Sequence, residues 1–227
     1  MAAIDVKDLP EFFEQYRWGK NHPLYGYPAD TYPGFKWIKS LEERGAWLAS
    51  QEAITVAPTN LIRELLDWGE GANGPRTKFE AGLGNVSLID LFRPVISEIQ
   101  DPAKAIMRAM AIPGCGLTYA SKLLRFMRAD VHASLDNRIR EALFKAGLLP
   151  DIQDSSKPSM MRGYVAFLTL INGLIDSLED AGVVRPECDL PKGANKTGWR
   201  VADVEMALFA WADRRLQKAK AKQVDQE

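Results

Sequence analysis

The sequence is poor in the residues that most often hold metals or form cross-links. Its 227 residues include two cysteines, Cys115 and Cys188, and two histidines, His22 and His132. Two cysteines are too few for a cysteine-only zinc or iron–sulfur site, and the four side chains are scattered without the spacing of metal ligands. We therefore expect no metal site and, in a reducing compartment, no disulfide.

Long apolar runs are missing as well. No run approaches the ~20 residues of a membrane span, and the N-terminal sequence MAAIDVKDLPEFF lacks the basic start and apolar core of a signal peptide. Hydrophobic residues make up 46% of the chain and charged residues 26%, which is typical of a soluble globular protein. We expect a cytoplasmic protein, nucleoid-associated if bacterial, with no membrane partner.

The chain also lacks an excess of positive charge, since its formal net charge is −1. The charge is unevenly distributed, however. Residues 102–147 carry eight basic and three acidic residues, a net charge of +5 that leaves −6 for the rest. The basic residues are Lys104, Arg108, Lys122, Arg125, Arg128, Arg138, Arg140 and Lys145. Such a segment predicts a basic face that can approach DNA.

Helical patterns cover most of the chain, and the sequence predicts an all-α protein. The predicted helices run from Leu9 to Trp18, Phe35 to Ser50, Thr59 to Trp68, two within 77–99, then Pro102 to Ala111, Leu117 to Arg128, Asn137 to Ala146, Ser159 to Leu178 and Val201 to Lys220. The predicted N-caps are Asp8, Thr59 or Asn60, Asp101 and Asp136. Runs of β-branched residues are too short to indicate a sheet.

The most informative segment is the tight turn Ile112-Pro113-Gly114-Cys115-Gly116 between two predicted helices. Its glycines let the backbone approach a ligand closely, and its amides, with a helix start behind them, suit an anion such as a DNA phosphate. The alternative is an ordinary helix–turn–helix loop with a glycine cap. We interpret Cys115 as a small apolar filler rather than a reactive thiol.

The turn and the residues after it resemble a known family. Ile112-Pro-Gly-Cys-Gly-Leu-Thr-Tyr-Ala-Ser-Lys-Leu-Leu, followed by Val131-His-Ala-Ser-Leu-Asp136-Asn-Arg-Ile-Arg, is similar to the helix-hairpin-helix DNA glycosylase superfamily over about 35 residues. The family signature is a Leu-Pro-Gly-x-Gly hairpin and, about twenty residues later, an aspartate at a helix start. Here Asp136 lies 20 positions after Gly116.

This resemblance implies that Asp136 faces the sugar of a nucleotide flipped out of double-stranded DNA. A fixed carboxylate stabilises the positive charge that develops as an N-glycosidic bond breaks, and it can orient or deprotonate the attacking water. The alternative is a plain N-cap, and the two roles are compatible. By resemblance the hairpin residues Pro113, Gly114, Cys115 and Gly116, with Thr118 and Lys122, contact DNA.

Bifunctional members of the family carry a lysine two residues after the second hairpin glycine, where this chain has Thr118. That difference favours a hydrolase without lyase activity. Lys122 lies one helical turn further on and can reach back toward the pocket as a Schiff-base nucleophile. Its alternative roles are a phosphate contact or a solvated lysine. No organic cofactor is implied, and a monovalent cation held by hairpin carbonyls is an option that the resemblance allows.

Two segments are candidates for reading the extruded base. Nine of the 21 aromatic residues fall within 12–37, where Trp18, Asn21 and His22 offer a flat ring and hydrogen-bonding groups. In the last helix Glu205 and Phe209 are spaced to project together, and resemblance to 8-oxoguanine glycosylases suggests a pocket wall there. In both segments packing within the protein is the alternative role.

The sequence thus predicts a two-lobed helical glycosylase fold with a cleft between the lobes, and we expect the lobes to form one compact unit. Residues 101–182 form the hairpin lobe, and residues 1–100 pack with 183–227. The function would be repair, or defence against modified phage DNA, by a monomer without an obligate protein partner. Two rival hypotheses are a non-catalytic helix-hairpin-helix DNA-binding module and an unrelated helical interaction protein.

Overall fold

The structure is a computed structural model that describes residues 4–18, 24–69 and 74–224, with side chains as far as residue 217. Ten α-helices and a sheet of two short strands lie within these ranges, and the all-α prediction is confirmed. The elements are α1 (Leu9–Glu14), β1 (Arg17–Trp18), β2 (Asp30–Thr31), α2 (Lys36–Ala49), α3 (Thr59–Trp68), α4 (Pro75–Gly82), α5 (Leu88–Ser97), α6 (Pro102–Ala109), α7 (Leu117–Met127), α8 (Asn137–Lys145), α9 (Lys157–Asp180) and α10 (Val201–Val224).

The N-terminal helix is shorter than predicted. It ends at Glu14, and the chain then becomes extended so that β1 pairs antiparallel with β2, with Trp18 opposite Asp30. The extended segment allows Tyr16 and Trp18 to pack edge-on against Phe209 of α10, at ring-centroid distances of 5.6 and 5.3 Å. Burial of these aromatic rings outweighs the local helical preference of the last predicted turn.

Two of the predicted helix caps are confirmed. The Asp101 side chain accepts a hydrogen bond from the backbone amide of Lys104 at 3.2 Å, at the start of α6. Asp136 caps α8 in the same way, since its Oδ1 accepts from the amide of Ile139 at 2.9 Å. Each carboxylate satisfies an amide that the helix leaves without a carbonyl partner.

The other two predicted caps are wrong. Asp8 makes no side-chain cap to α1, because a 3-10 turn precedes that helix and Asp5 caps the turn instead. At α3, Pro58 occupies the N-cap position, and Thr59 and Asn60 already belong to the helix or its first turn. Asp8 does stand at the N-cap position, but with helical φ and ψ of −86° and −15° its side chain makes no capping hydrogen bond. At α3 the helix starts earlier than predicted, so Thr59 and Asn60 lie beyond the capping position.

Helix α7 is the centre of the molecule. It packs against α2, α3 and α6, and every residue from Ala120 to Met127 is buried. The approach of α2 is very close, because a Cβ at Gly45 would lie 2.3 Å from the carbonyl oxygen of Phe126. Helix α10 packs against α1, α8 and α9, and its residues 201–210 are all buried. The side chains of α7 and α10 therefore face the interior from two sides.

A single cluster of buried apolar residues includes members of α2, α7 and α10. The hairpin lobe and the rest of the chain thus share core contacts, and the division into lobes around a cleft stays a prediction. Within the described ranges, none of the helices is long and apolar enough to cross a membrane.

Candidate functional site

The turn between α6 and α7 is built as a tight hairpin. Gly114 has a φ of +77°, and a Cβ there would lie 2.2 Å from the carbonyl oxygen of Pro75. Both the backbone conformation and the close approach of α4 therefore require glycine at this position. The amide of Cys115 donates to the carbonyl of Ile112 at 3.0 Å, which closes the turn.

The second glycine leaves the start of α7 open. Gly116 is the N-cap, is exposed, and has no atom within 4 Å of the place where a Cβ would stand. In the described part of the chain no side chain caps α7, and its first-turn amides have no carbonyl of their own helix to bind. A groove of about 740 Å³ borders this helix start and includes Pro113, Thr118 and the exposed Lys78. The geometry suits an anion held by backbone amides.

One predicted hairpin contact is largely buried. Cys115 is 3% exposed and its amide donates to the Ile112 carbonyl, so neither its side chain nor its amide is available, and its contact with DNA stays a prediction. Burial raises the pKa of the Cys115 thiol to about 12, in keeping with the interpretation of Cys115 as an unreactive filler. The cation proposed for the hairpin carbonyls stays a prediction.

The predicted basic face is largely neutralised. Six of the eight basic residues of segment 102–147 form ion pairs, namely Lys104–Asp101, Arg108–Glu98, Arg128–Asp130, Arg138–Asp213, Arg140–Asp154 and Lys145–Glu141. The other two, Lys122 and Arg125, are 3% and 1% exposed. The sequence overstates the positive charge of this face, because the net charge of segment 102–147 leaves out four acidic partners that lie outside it. These partners are Glu98, Asp101, Asp154 and Asp213.

Asp136 is fixed beside the hairpin helix. The residue before it, Leu135, donates its amide to Oγ of Ser121 on α7 at 2.9 Å. The Ser121 hydroxyl in turn donates to the carbonyl of Thr118 at 3.0 Å, so the hydrogen bonds run from the hairpin helix to the Asp136 segment. The Asp136 side chain is buried and bound through one oxygen to the start of α8. Asp136 is therefore held on one side by the Leu135–Ser121 hydrogen bond and on the other by its own hydrogen bond with the Ile139 amide.

Lys122 does not extend into solvent. It is 3% exposed, and its Nζ lies over the rings of Trp18, Trp68 and Tyr119 at 4.4, 5.0 and 5.4 Å from their centroids. Two of these rings are held by hydrogen bonds to backbone carbonyls: Trp18 Nε1 donates to Trp68 at 2.8 Å, and Tyr119 Oη donates to Gly69 at 2.7 Å. The aromatic faces favour a cation. This burial excludes a solvated lysine and does not fit the predicted phosphate contact.

Two of the predicted base-reading residues lie together in the interior. Phe209 is 4% exposed, and its ring meets that of the half-buried Trp18 edge to face. The guanidinium of Arg138 lies over both rings, 5.6 Å from the Trp18 centroid and 5.1 Å from the Phe209 centroid. Asn21 and His22, the other predicted contacts in this segment, lie outside the described residues.

A crevice of about 310 Å³ opens beside Phe209 toward the surface. Its other lining residues are Gln15, Arg17, Ala210, Asp213, Arg214 and Gln217. Arg138 reaches this edge through its 3.5 Å ion pair with Asp213, in which both side chains are partly exposed. Arg138, two residues after Asp136 on α8, thus contacts both the aromatic rings of Trp18 and Phe209 and the accessible polar rim of the crevice.

Glu205 is the most perturbed acid among these residues. It is 5% exposed, and its nearest cation in the described part of the chain is Arg125, whose Nε lies 3.7 Å from Oε2. Burial raises the pKa of Glu205 to about 8. The positive charges of Arg125 and Lys122 oppose this shift, while the negative charges of Asp136 and Glu42 add to it. All four charges therefore lie close to the Glu205 carboxyl.

Sequence reasoning missed Arg125, Trp68 and Tyr16. Arg125 was counted as a surface base, although it stands in the apolar run Leu-Leu-Arg-Phe-Met, three residues after Lys122. A charged residue inside such a run was a usable signal of a buried charge. Trp68 and Tyr16 lie far from the hairpin in sequence, and no local pattern indicates that their rings reach the same place.

None of the family models, curated proteins or solved structures compared with the chain matches it. Among the described residues, no group of three or more histidine, cysteine, aspartate and glutamate side chains is arranged to hold a metal ion. The hairpin, Asp136 and the residues around them are therefore the features from which a function can be proposed.

Proposed function

We propose that the chain is a DNA glycosylase that extrudes a modified or damaged base from double-stranded DNA and hydrolyses its N-glycosidic bond, leaving an abasic site. The observation that carries the proposal is the position of Asp136. Its segment is bound to the hairpin helix through the Ser121–Leu135 hydrogen bond, and its carboxylate is within electrostatic reach of the buried side chains of Glu205 and Tyr16. A hairpin suited to DNA phosphate and a fixed carboxylate are thereby joined in one rigid unit.

The proposed chemistry follows from the charge that the reaction creates. As the bond from C1′ to the base nitrogen lengthens, positive charge develops on the sugar. The Asp136 carboxylate stabilises that charge and accepts a proton from the attacking water. One of its oxygens is held by the Ile139 amide, so the carboxylate is oriented before substrate arrives. Such preorganisation lowers the barrier without reorganisation during the reaction.

The open start of α7 supplies the proposed grip on DNA. Gly116 and the first-turn amides would bind a phosphate, and Pro113, Gly114 and Thr118 shape the groove around it. This type of contact positions the duplex without reading its sequence. Because most basic residues of the hairpin segment are ion-paired, backbone amides would carry more of the affinity than lysine and arginine side chains.

We propose a monofunctional hydrolase. Thr118 occupies the position of the family's Schiff-base lysine, and Lys122 is surrounded by Trp18, Trp68 and Tyr119 rather than placed at an open surface. Lys122 would have to leave these rings to attack a sugar. Borohydride reduction during the reaction tests this point, since a Schiff base would be trapped as a covalent protein–DNA adduct.

The test is a panel of DNA duplexes incubated with the wild-type protein, Asp136→Asn and Asp101→Asn. The duplexes carry 8-oxoguanine, alkyladenine, uracil, mismatches or phage-type modified cytosines. Asparagine retains capping ability, so both variants should fold. Asp101→Asn is the matched control, because Asp101 caps α6 in the way that Asp136 caps α8.

We expect strand cleavage after alkali for at least one duplex with the wild type and Asp101→Asn, and none with Asp136→Asn. Cleavage without alkali would indicate lyase activity and replace the monofunctional proposal. A second candidate, the non-catalytic DNA-binding module, is favoured by the fact that capping α8 is a sufficient structural role for Asp136. Salt-dependent DNA binding without base release from any duplex would support it.

A further inference from the structure

The pairing of Glu205 is unusual for a buried acid. Its side chain is 5% exposed, and no hydrogen bond joins its carboxyl to another group among residues whose side chains are described. The contact with Arg125, at 3.7 Å, is longer than a hydrogen bond. Buried carboxyls normally have such partners, and an exception in a native protein calls for an explanation.

Ionisable groups from five segments of the chain, together with aromatic rings, surround Glu205. The ionisable groups near it are Glu42 on α2, Lys122 and Arg125 on α7, Asp136 before α8, Tyr164 on α9 and Tyr16 before β1. Phe209 lies one helical turn after Glu205 on α10, and its ring contacts those of Trp18 and Tyr16. The Glu205 carboxyl is therefore within electrostatic reach of the proposed catalytic aspartate and stands one helical turn before a ring proposed to contact the base.

We propose that Glu205 is the general acid of this site, a carboxylic acid that transfers its proton to the departing base while Asp136 stabilises the sugar. This inference rests on the proposed glycosylase function. The bond from C1′ to the base nitrogen breaks, its electron pair goes to the base, and the proton of Glu205 goes to a ring nitrogen of that base. Water adds to C1′ and loses a proton to Asp136, Asp136 releases that proton to solvent, and solvent returns a proton to Glu205.

The different environments of the two carboxyls support this division of roles. Glu205 is largely buried and accepts no hydrogen bond from the described residues, and this burial raises its pKa to about 8. Asp136 differs in having one oxygen held by the Ile139 amide at a helix start, which orients its carboxylate. Two carboxyls in such different environments can act as acid and as charge stabiliser on one substrate.

The inference names a substrate class. Protonation matters most for bases that leave poorly as anions, such as purines with a basic ring nitrogen. It matters little for uracil, whose anion is stabilised by its own carbonyl groups. A site with a general acid should therefore favour modified purines, or other bases with a protonatable ring nitrogen, over uracil.

The experiment compares single-turnover base release by the wild type, Glu205→Gln and Glu98→Gln on the duplex panel, between pH 5 and 9. Glutamine preserves the shape of Glu205 but cannot donate the proton. Glu98 is a control on the surface, where it pairs with Arg108. We expect the wild-type rate to fall as the pH rises through 8, a 10- to 100-fold lower rate in Glu205→Gln at pH 7, and no such high-pH fall in that variant.

The possible outcomes distinguish the role of Glu205 from the proposed glycosylase activity on which it rests. Base release by Glu205→Gln at the wild-type rate, with the same pH profile, would overturn the role of Glu205 and leave the glycosylase proposal intact. No release by the wild type from any duplex would overturn both. A larger loss on purine lesions than on uracil supports the general acid, whereas an equal loss on every base indicates a structural role and contradicts it.

Discussion

Two buried acids two residues apart on α10, Asp203 and Glu205, have opposite surroundings. Asp203 is fully buried, and its two oxygens accept hydrogen bonds from Arg200 and Arg185, including one of 2.7 Å from Arg200. Glu205 is almost as buried, yet no hydrogen bond reaches its carboxyl within the described residues. Asp203 is thus held by two arginines, whereas Glu205, the acid that we assign to chemistry, accepts no hydrogen bond from the described residues.

Asp203 belongs to a network of buried ion pairs that joins distant parts of the chain. Arg200 bridges Asp203 and Glu42 of α2 with 2.7 Å contacts to both. Arg125 lies 3.0 Å from the other oxygen of Glu42, although this ion pair lacks hydrogen-bond geometry. Removing one partner of such a buried network leaves an uncompensated charge.

The largest expected effect is therefore at Asp203. We expect Asp203→Asn to lower the free energy of unfolding by about 3–5 kcal/mol, because Arg200 and Arg185 would keep their charges with less compensation. Urea unfolding followed by circular dichroism measures the loss. A change below about 1 kcal/mol would contradict the structural role of this pairing.

Glu205→Gln should change stability in the opposite direction. The pKa of Glu205 is about 8 in the folded protein, above its ordinary value of 4.5, so the folded state retains a proton that the unfolded state releases. The stability of the wild type therefore falls as the pH rises from 4.5 through 8. We expect the variant to be more stable by about 2–4 kcal/mol at pH 9 and equal to the wild type at pH 4.

Urea unfolding of both proteins at pH 4, 7 and 9 checks this prediction. Glu98→Gln is the control, because Arg108 lowers the pKa of Glu98 and no gain at high pH is expected there. A Glu205→Gln protein that is less stable than the wild type at pH 9 would mean that the carboxylate is paired in solution, and the comparison with Asp203 would fail.

Ser121→Ala tests the link between the hairpin helix and Asp136. The substitution leaves the buried amide of Leu135 without its acceptor, so we expect a loss of about 1–3 kcal/mol in unfolding free energy. Base release should fall as well, because Asp136 follows Leu135 directly. Ser177→Ala, on the exposed face of α9, is the control with the same chemical change. Full activity of a destabilised Ser121→Ala would show that this bond does not position the carboxylate.

The smallest expected effect on stability is at Arg138, on the rim of the crevice beside Phe209. Arg138 and Asp213 are partly exposed and 3.5 Å apart, so Arg138→Ala should change the unfolding free energy by at most about 1 kcal/mol, including loss of the contacts with Trp18 and Phe209. The same unfolding assay measures it. A loss as large as that of Asp203→Asn would erase the distinction between buried and surface charges.

The parts of the fold and site that depend on local geometry could be predicted from the sequence. Gly114 needs glycine for its positive φ, and Asp101 and Asp136 have the side chain and position of an N-cap. These local features are sufficient to predict the hairpin and the position of the candidate carboxylate. The long apolar patterns of α7 and α10 likewise predicted helices close to the observed ones.

The rest depends on contacts that no local pattern contains. The ion pair between Glu42 and Arg200 spans 158 positions, and the rings around Lys122 come from Trp18, Trp68 and Tyr119. The basic face predicted for the hairpin segment was lost for the same reason, because its partners lie in other elements. Pairing of charges is a tertiary property, so the count of residues along a segment could not reveal it.

The central claim is most directly tested by the release of free base at saturating protein from the best duplex of the panel. We predict that Asp136→Asn lowers the single-turnover rate by a factor of about 10²–10⁴, while Asp101→Asn retains the wild-type rate and both variants retain DNA affinity. Equal rates of base release by Asp136→Asn and the wild type would contradict the assignment of Asp136 as the catalytic carboxylate.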